Sequence, residues 1–124
     1  MTATDLAAVR GMGYIRRMLA IKASIFEFIS SDTYPNLVRC RFTDAWGRER
    51  IFLEKEPVVS AAADDLDATT ILPQPAEIGC ELIRRWRDGA GREIVTVDTE
   101  KPWCVWDENE QTRFDLLPDQ LTEI

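Results

Sequence analysis

Four arginines, Arg39, Arg41, Arg48 and Arg50, surround a tryptophan at a turn, Trp46, and of all the side chains in this sequence they are the best suited to recognition chemistry. A guanidinium fork grips carboxylate or phosphate through paired hydrogen bonds, and an indole adds an apolar plane for packing or stacking. With a four-residue loop over 44 to 47, Thr43 opposes Arg48, Arg41 opposes Arg50 and Arg39 opposes Phe52. The same geometry opposes Arg87 to Arg92 in a second hairpin. Like charges across a strand pair cost stability unless something shares them. Carboxylates from an adjoining strand are the simpler resolution, and a phosphate-bearing or acidic ligand is the functional one.

Trp46 either anchors an interface or folds back over the core. Trp103 and Trp106 differ in parity, so a strand through them puts one inside and leaves the other near the surface. Trp86 shares a core-facing register with Leu82 and Cys80. The candidate binding residues are therefore Arg39, Arg41, Trp46, Arg48, Arg50 and Trp106.

Catalytic chemistry finds little purchase. The chain has no histidine, which removes the ordinary neutral-pH base, the Ser-His and Cys-His pairs and the commonest metal ligand. Gly11-Met12-Gly13 is too short to cradle phosphate. Asp64-Asp65-Leu66-Asp67 lacks the spacing of a calcium loop and reads as a solvated acidic loop. Among Glu54, Glu56, Asp98 and Glu100 nothing singles out an acid-base pair. A reactive Cys104 would need a cation beside it, and Lys101 is the one nearby. No catalytic set, metal site or cofactor is expected.

The elements that position these residues follow from an internal repeat. At an offset of 44 residues, Asp44-Ala45-Trp46-Gly47-Arg48-Glu49 matches Asp88-Gly89-Ala90-Gly91-Arg92-Glu93. The leading aspartate bonds backbone ahead of it, and the glycine takes the positive φ of the turn. The flanks match too: Phe42 falls on Trp86, Val38 on Leu82, Ile51 on Val95 and Leu53 on Val97, all read as inward-facing. A weaker third copy, Asp107-Glu108-Asn109-Glu110 before an alternating Thr112 to Leu116, lacks the glycine.

Around the hairpins, residues 18 to 29 read as a partly two-sided buried strand, and Leu53 to Val59 as an extension that Pro57 bends or confines to an edge. Residues 60 to 75 form a long loop with a helical turn near Ala61 to Leu66. Strands over 76 to 87, 92 to 98, 103 to 106 and 112 to 117 follow, the last stopped by Pro118. Residues 1 to 17 read as a tail or short helix, and 18 to 124 as one domain. The fold class is all-β, a small antiparallel barrel of six to seven strands in a meander, with a two-sheet sandwich as the alternative.

Composition bounds the partners. Four basic side chains against Asp5 leave residues 1 to 22 at +3, and the rest of a chain of net charge −7 therefore at −10. Such a body repels duplex DNA and anionic membranes and favours a basic partner. Twelve of the fifteen basic residues are arginine, which matches either anion recognition or a GC-rich genome. Cys40, Cys80 and Cys104 have no close pairing and read as buried thiols of a reducing, cytoplasmic compartment. The expectation is a non-catalytic interaction module that contacts a protein partner or a second copy of itself. The alternative is an anion or single-stranded nucleic-acid binder working through the arginine and tryptophan face.

Overall fold

Strands form where apolar residues alternate, and they reverse where an aspartate leads a turn. A computed structural model describes residues 18–30, 36–60 and 70–123. The tail over 1 to 17 and the helical turn expected near 61 to 66 lie outside the described residues.

The elements are β1 (Met18–Ser30), β2 (Leu37–Thr43), β3 (Glu49–Lys55), a helical turn α1 (Glu56–Val59), β4 (Gln74–Arg87), β5 (Glu93–Asp98), β6 (Arg113–Leu116) and β7 (Leu121–Glu123). They build one curled antiparallel sheet in the order β3-β2-β1-β4-β5-β6, with β7 also on β1. A single half-barrel results, not two stacked sheets. The long β1 is its spine: residues 18–25 pair with β4, while the other side pairs with β7 over residues 19–21 and with β2 over residues 24–30. Two three-stranded meanders, β1-β2-β3 and β4-β5-β6, thus meet back to back at the β1-β4 ladder.

Leu19, Ile21, Ile25, Val38, Cys40, Phe42, Phe52, Ile78, Val95, Val97, Phe114 and Leu116 line the concave side as one buried cluster. Phe42, Phe52 and Phe114 draw the two ends of the sheet together, with ring centroids 5.4 to 5.7 Å apart. Backbone bonds assist closure: the Ala45 N–H donates to the Asp115 carbonyl at 2.8 Å, and the Glu108 N–H to the Ile51 carbonyl at 2.9 Å. The ends touch without forming a ladder.

Three expectations need correction. Leu53 to Val59 is not extended throughout, because Pro57 enters the first turn of α1, where its missing N–H costs nothing. Residues 103–106 form no strand; Thr99 fastens them as a loop, its hydroxyl donating to the Val105 carbonyl and its N–H to the Thr112 carbonyl. The chain also does not end its sheet at Pro118, since a 3-10 turn over Pro118–Gln120 redirects it into β7.

Candidate functional site

All three aspartate-led turns are one structure. Asp44 Oδ1 accepts the Trp46 and Arg48 N–H groups, Asp88 Oδ1 those of Ala90 and Arg92, and Asp107 Oδ1 those of Asn109 and Gln111, all at 2.9 Å. The fourth residue is left-handed in each: Gly47 at φ 83°, Gly91 at 84° and Glu110 at 62°. The third copy adopts the turn without the glycine that eases it. In each, the aspartate N–H also donates to the carbonyl four residues on, so the left-handed residue adds one position to the return strand.

That extra position overturns the pairing expected for a four-residue loop. Thr43 opposes Glu49, Phe42 opposes Arg50, Arg41 opposes Ile51 and Arg39 opposes Leu53. In the second hairpin Arg87 opposes Glu93, not Arg92. No two arginines face each other across either hairpin.

The candidate arginines scatter accordingly. Arg39 donates to Glu27 at 2.9 Å. Arg41 pairs with Glu49 at 3.3 Å and lies over the Phe26 ring. Arg48 is exposed, and its guanidinium has no partner among the described residues. Arg50 turns inward beside Phe42, donating to Asp44 Oδ2 at 3.1 Å and to Gln111 at 2.9 Å, with Asp107 Oδ2 at 3.6 Å and the Phe114 ring beneath it. It is a structural cation tying the first turn to the third. Asp107 Oδ2 is buried and has no hydrogen bond of its own.

The slip also reverses β3. Phe52 faces the core, whereas Ile51 and Leu53 face outward, with Leu53 48% exposed. Conversely, an irregularity between Leu82 and Arg84 flips the end of β4. Trp86 therefore leaves the core side expected for it and sits half-buried on the convex face, cross-strand from Ile94. Its Nε1 donates to the Thr96 hydroxyl at 2.9 Å. Trp46 folds across this second convex face: its ring centroid is 6.2 Å from that of Trp86, its Nε1 donates to Asp115 Oδ2 at 3.0 Å and the Arg92 guanidinium lies over it.

Trp106 is placed otherwise. Val105 is buried in the core cluster with its carbonyl held by the Thr99 hydroxyl, while the residue after it stays at the surface. Trp106 is 52% exposed, with no indole hydrogen bond or ring contact among the described residues. Trp103 is exposed as well, leaning on β4 where a side chain at Gly79 would meet it at 3.2 Å. The expected split of one tryptophan inside and one outside fails because the segment does not alternate as a strand.

Trp106, Ile51, Leu53, Arg39, Asp107, Glu108 and Glu110 line a groove of about 290 Å³ along β3, the last strand of the sheet. Reading the turn as four residues hid this site, since it sent Ile51 and Leu53 inward. The glycine at the fourth turn position is the signal for the longer loop.

Other chemistry stays dispersed. Burial pushes the Cys40 and Cys80 thiols up to about 12, with Glu54 adding to the shift at Cys40. Cys104 is exposed, contrary to its expected burial. Burial pushes Glu54 upward against the lowering effect of Lys55. Burial works upward on Asp98 too, but the Glu100 N–H, Thr112 hydroxyl and Arg113 guanidinium together hold it below its ordinary value. Among the described residues no cluster of three or more acids or cysteines is arranged to hold a metal, and no helix is long and apolar enough to cross a membrane. No family model, curated protein or solved structure matches this chain.

Proposed function

We propose that this protein is a non-catalytic interaction module that docks a protein partner on the convex face of its first hairpin, through Ile51, Leu53 and Trp106. The carrying observation is an apolar stripe beside a tryptophan that no side chain among the described residues tethers, with Leu53 48% and Trp106 52% exposed. Its rim is polar, made of Arg39, Glu108 and Glu110. An aromatic anchor in an apolar centre with a charged border is the usual anatomy of a protein interface. Free thiols at Cys40, Cys80 and Cys104 fit a cytoplasmic location.

An anion or single-stranded nucleic acid on the arginine face is the weaker reading. Three of its four arginines already have carboxylate partners, and Arg50 is turned inside.

Retention from a lysate of the source cells on immobilised wild type, compared with a Leu53→Glu/Trp106→Ala variant, tests the proposal. A partner held by the wild type and lost by the variant is expected. Equal retention by both contradicts it, and sedimentation of the pure protein reveals whether the partner is a second copy.

A further inference from the structure

Main-chain polarity at the groove narrows what can bind there. In an antiparallel pair, residues alternate between those that exchange hydrogen bonds with the partner strand and those whose N–H and C=O point away. The Ile51 carbonyl accepts from Glu108, outside the β2-β3 ladder, so Ile51 belongs to the outward-pointing set. Two residues on, Leu53 belongs to it as well. Glu108 engages the Ile51 carbonyl, and the Lys55 N–H is taken by Glu54 Oε1 at 3.3 Å. Between these stops, the Leu53 N–H and carbonyl have no backbone partner among the described residues.

Charge narrows it further. Glu108 and Glu110 are exposed on the groove wall and form no ion pair among the described residues. Arg39, the cation on the opposite wall, is already neutralised by Glu27 at 2.9 Å. Behind the wall, the buried Asp107 carboxylate is already paired with Arg50 at 3.6 Å, so the free acidity of the wall comes from Glu108 and Glu110. The groove is thus apolar at its floor, acidic at one side and set in a chain of net charge −7.

We propose that the open edge of β3 at Leu53 takes an extended, basic polypeptide segment as an added antiparallel strand. This rests on the docking-face reading above. The residue opposite Leu53 exchanges two main-chain hydrogen bonds with it, which is the common currency of strand addition. Alternate side chains of the segment pack on Leu53 and Trp106, and its lysines or arginines reach Glu108 and Glu110. A second copy of this chain fits poorly: edge-to-edge pairing about a two-fold axis through Leu53 brings the Glu108 and Glu110 wall of each copy to the same seam.

The test is titration of the full chain with a short alternating valine-lysine peptide. Controls are a valine-glutamate peptide, a valine-lysine peptide N-methylated at the residue opposite Leu53, and the Leu53→Pro and Trp106→Ala chains. Proline is tolerated where an edge N–H faces solvent, so Leu53→Pro keeps the β2-β3 ladder while removing the donor. The expected result is binding of the valine-lysine peptide that falls with added salt. Glutamate for lysine, N-methylation and Leu53→Pro should each weaken it by about tenfold or more. If Leu53→Pro does not fold, the N-methylated peptide decides. No binding of the valine-lysine peptide, or equal binding of the charge-reversed or N-methylated peptide, overturns the proposal. Binding lost in Trp106→Ala yet indifferent to methylation and charge leaves the docking face standing and removes strand addition alone.

Discussion

The two matched hairpins share a turn and a register but show opposite faces to the core. Cys40, Phe42 and Phe52 of the first hairpin are buried inside, while their counterparts at the 44-residue offset, Arg84, Trp86 and Thr96, lie on the convex side. Ile51 and Leu53 lie on the convex side of the first hairpin, while their counterparts Val95 and Val97 are fully buried in the core. Each hairpin therefore has a second apolar surface to cover. The second hairpin covers its own with Trp46, held by Asp115, Trp86 and Arg92. The first has Trp106, which nothing among the described residues holds. What separates the two tryptophans is not exposure, 47% at Trp46 and 52% at Trp106, but tethering: Trp46 is held in place, and Trp106 has no such contact among the described residues.

The sharpest break in that comparison is expected at the turn aspartates. Asp44→Ala strips two backbone N–H groups of their acceptor and leaves Arg50, only 12% exposed at its side chain, short of its nearest carboxylate. It should cost about 3 to 5 kcal/mol in urea unfolding. Asp88→Ala removes the same turn bonds but releases an Arg92 that is 43% exposed, so its cost should be plainly smaller. Equal losses would show that the first turn is not locked to the third through Arg50.

Next come the tryptophans. Trp46→Ala opens the sealed face and should lower stability by about 2 kcal/mol, whereas Trp106→Ala should stay within about 0.5 kcal/mol of wild type. Thermal melts of both variants decide this, and a large loss in Trp106→Ala would make that residue structural. Glu110→Gly relieves a left-handed residue in the third turn and should gain about 1 kcal/mol, with Gly47→Ala losing a similar amount in the first. The smallest effect is expected at Asp98, whose carboxyl is held below its ordinary value of 3.8 in the fold. A depressed folded-state value means stability present above that ordinary value and lost as pH falls through the lowered one. Wild type should therefore exceed Asp98→Asn in urea midpoint near neutrality, with the gap closing below about pH 4.

Much of the fold was legible in the chain because turn chemistry is local. Asp44 with Gly47 and Asp88 with Gly91 announce reversals, and the alternation around them gives strands. What the chain concealed depends on single-residue slips. One left-handed residue per turn moves Arg50 inside and Leu53 outside, and one irregularity after Leu82 carries Trp86 to the convex face. Because strand side chains alternate, each slip inverts every assignment beyond it. Of the residues lining the groove on β3, Trp106 and Arg39 are among those expected from the chain to make contacts, whereas Ile51, Leu53, Glu108 and Glu110 are not. Glu108 and Glu110 belong to a turn whose glycine is missing, so their place beside Leu53 emerges only when Thr99 and Val105 fold the 99–112 segment back against β3.

Hydrogen exchange at the Leu53 amide, followed residue by residue in the whole chain, addresses the open edge most directly. Rapid exchange is expected in the free protein, against slow exchange at Cys40 and Phe52 within the β2-β3 ladder, and clear protection of Leu53 once the valine-lysine peptide is bound. A Leu53 amide already protected in the free chain, or one that exchanges unchanged in the complex, would contradict the account.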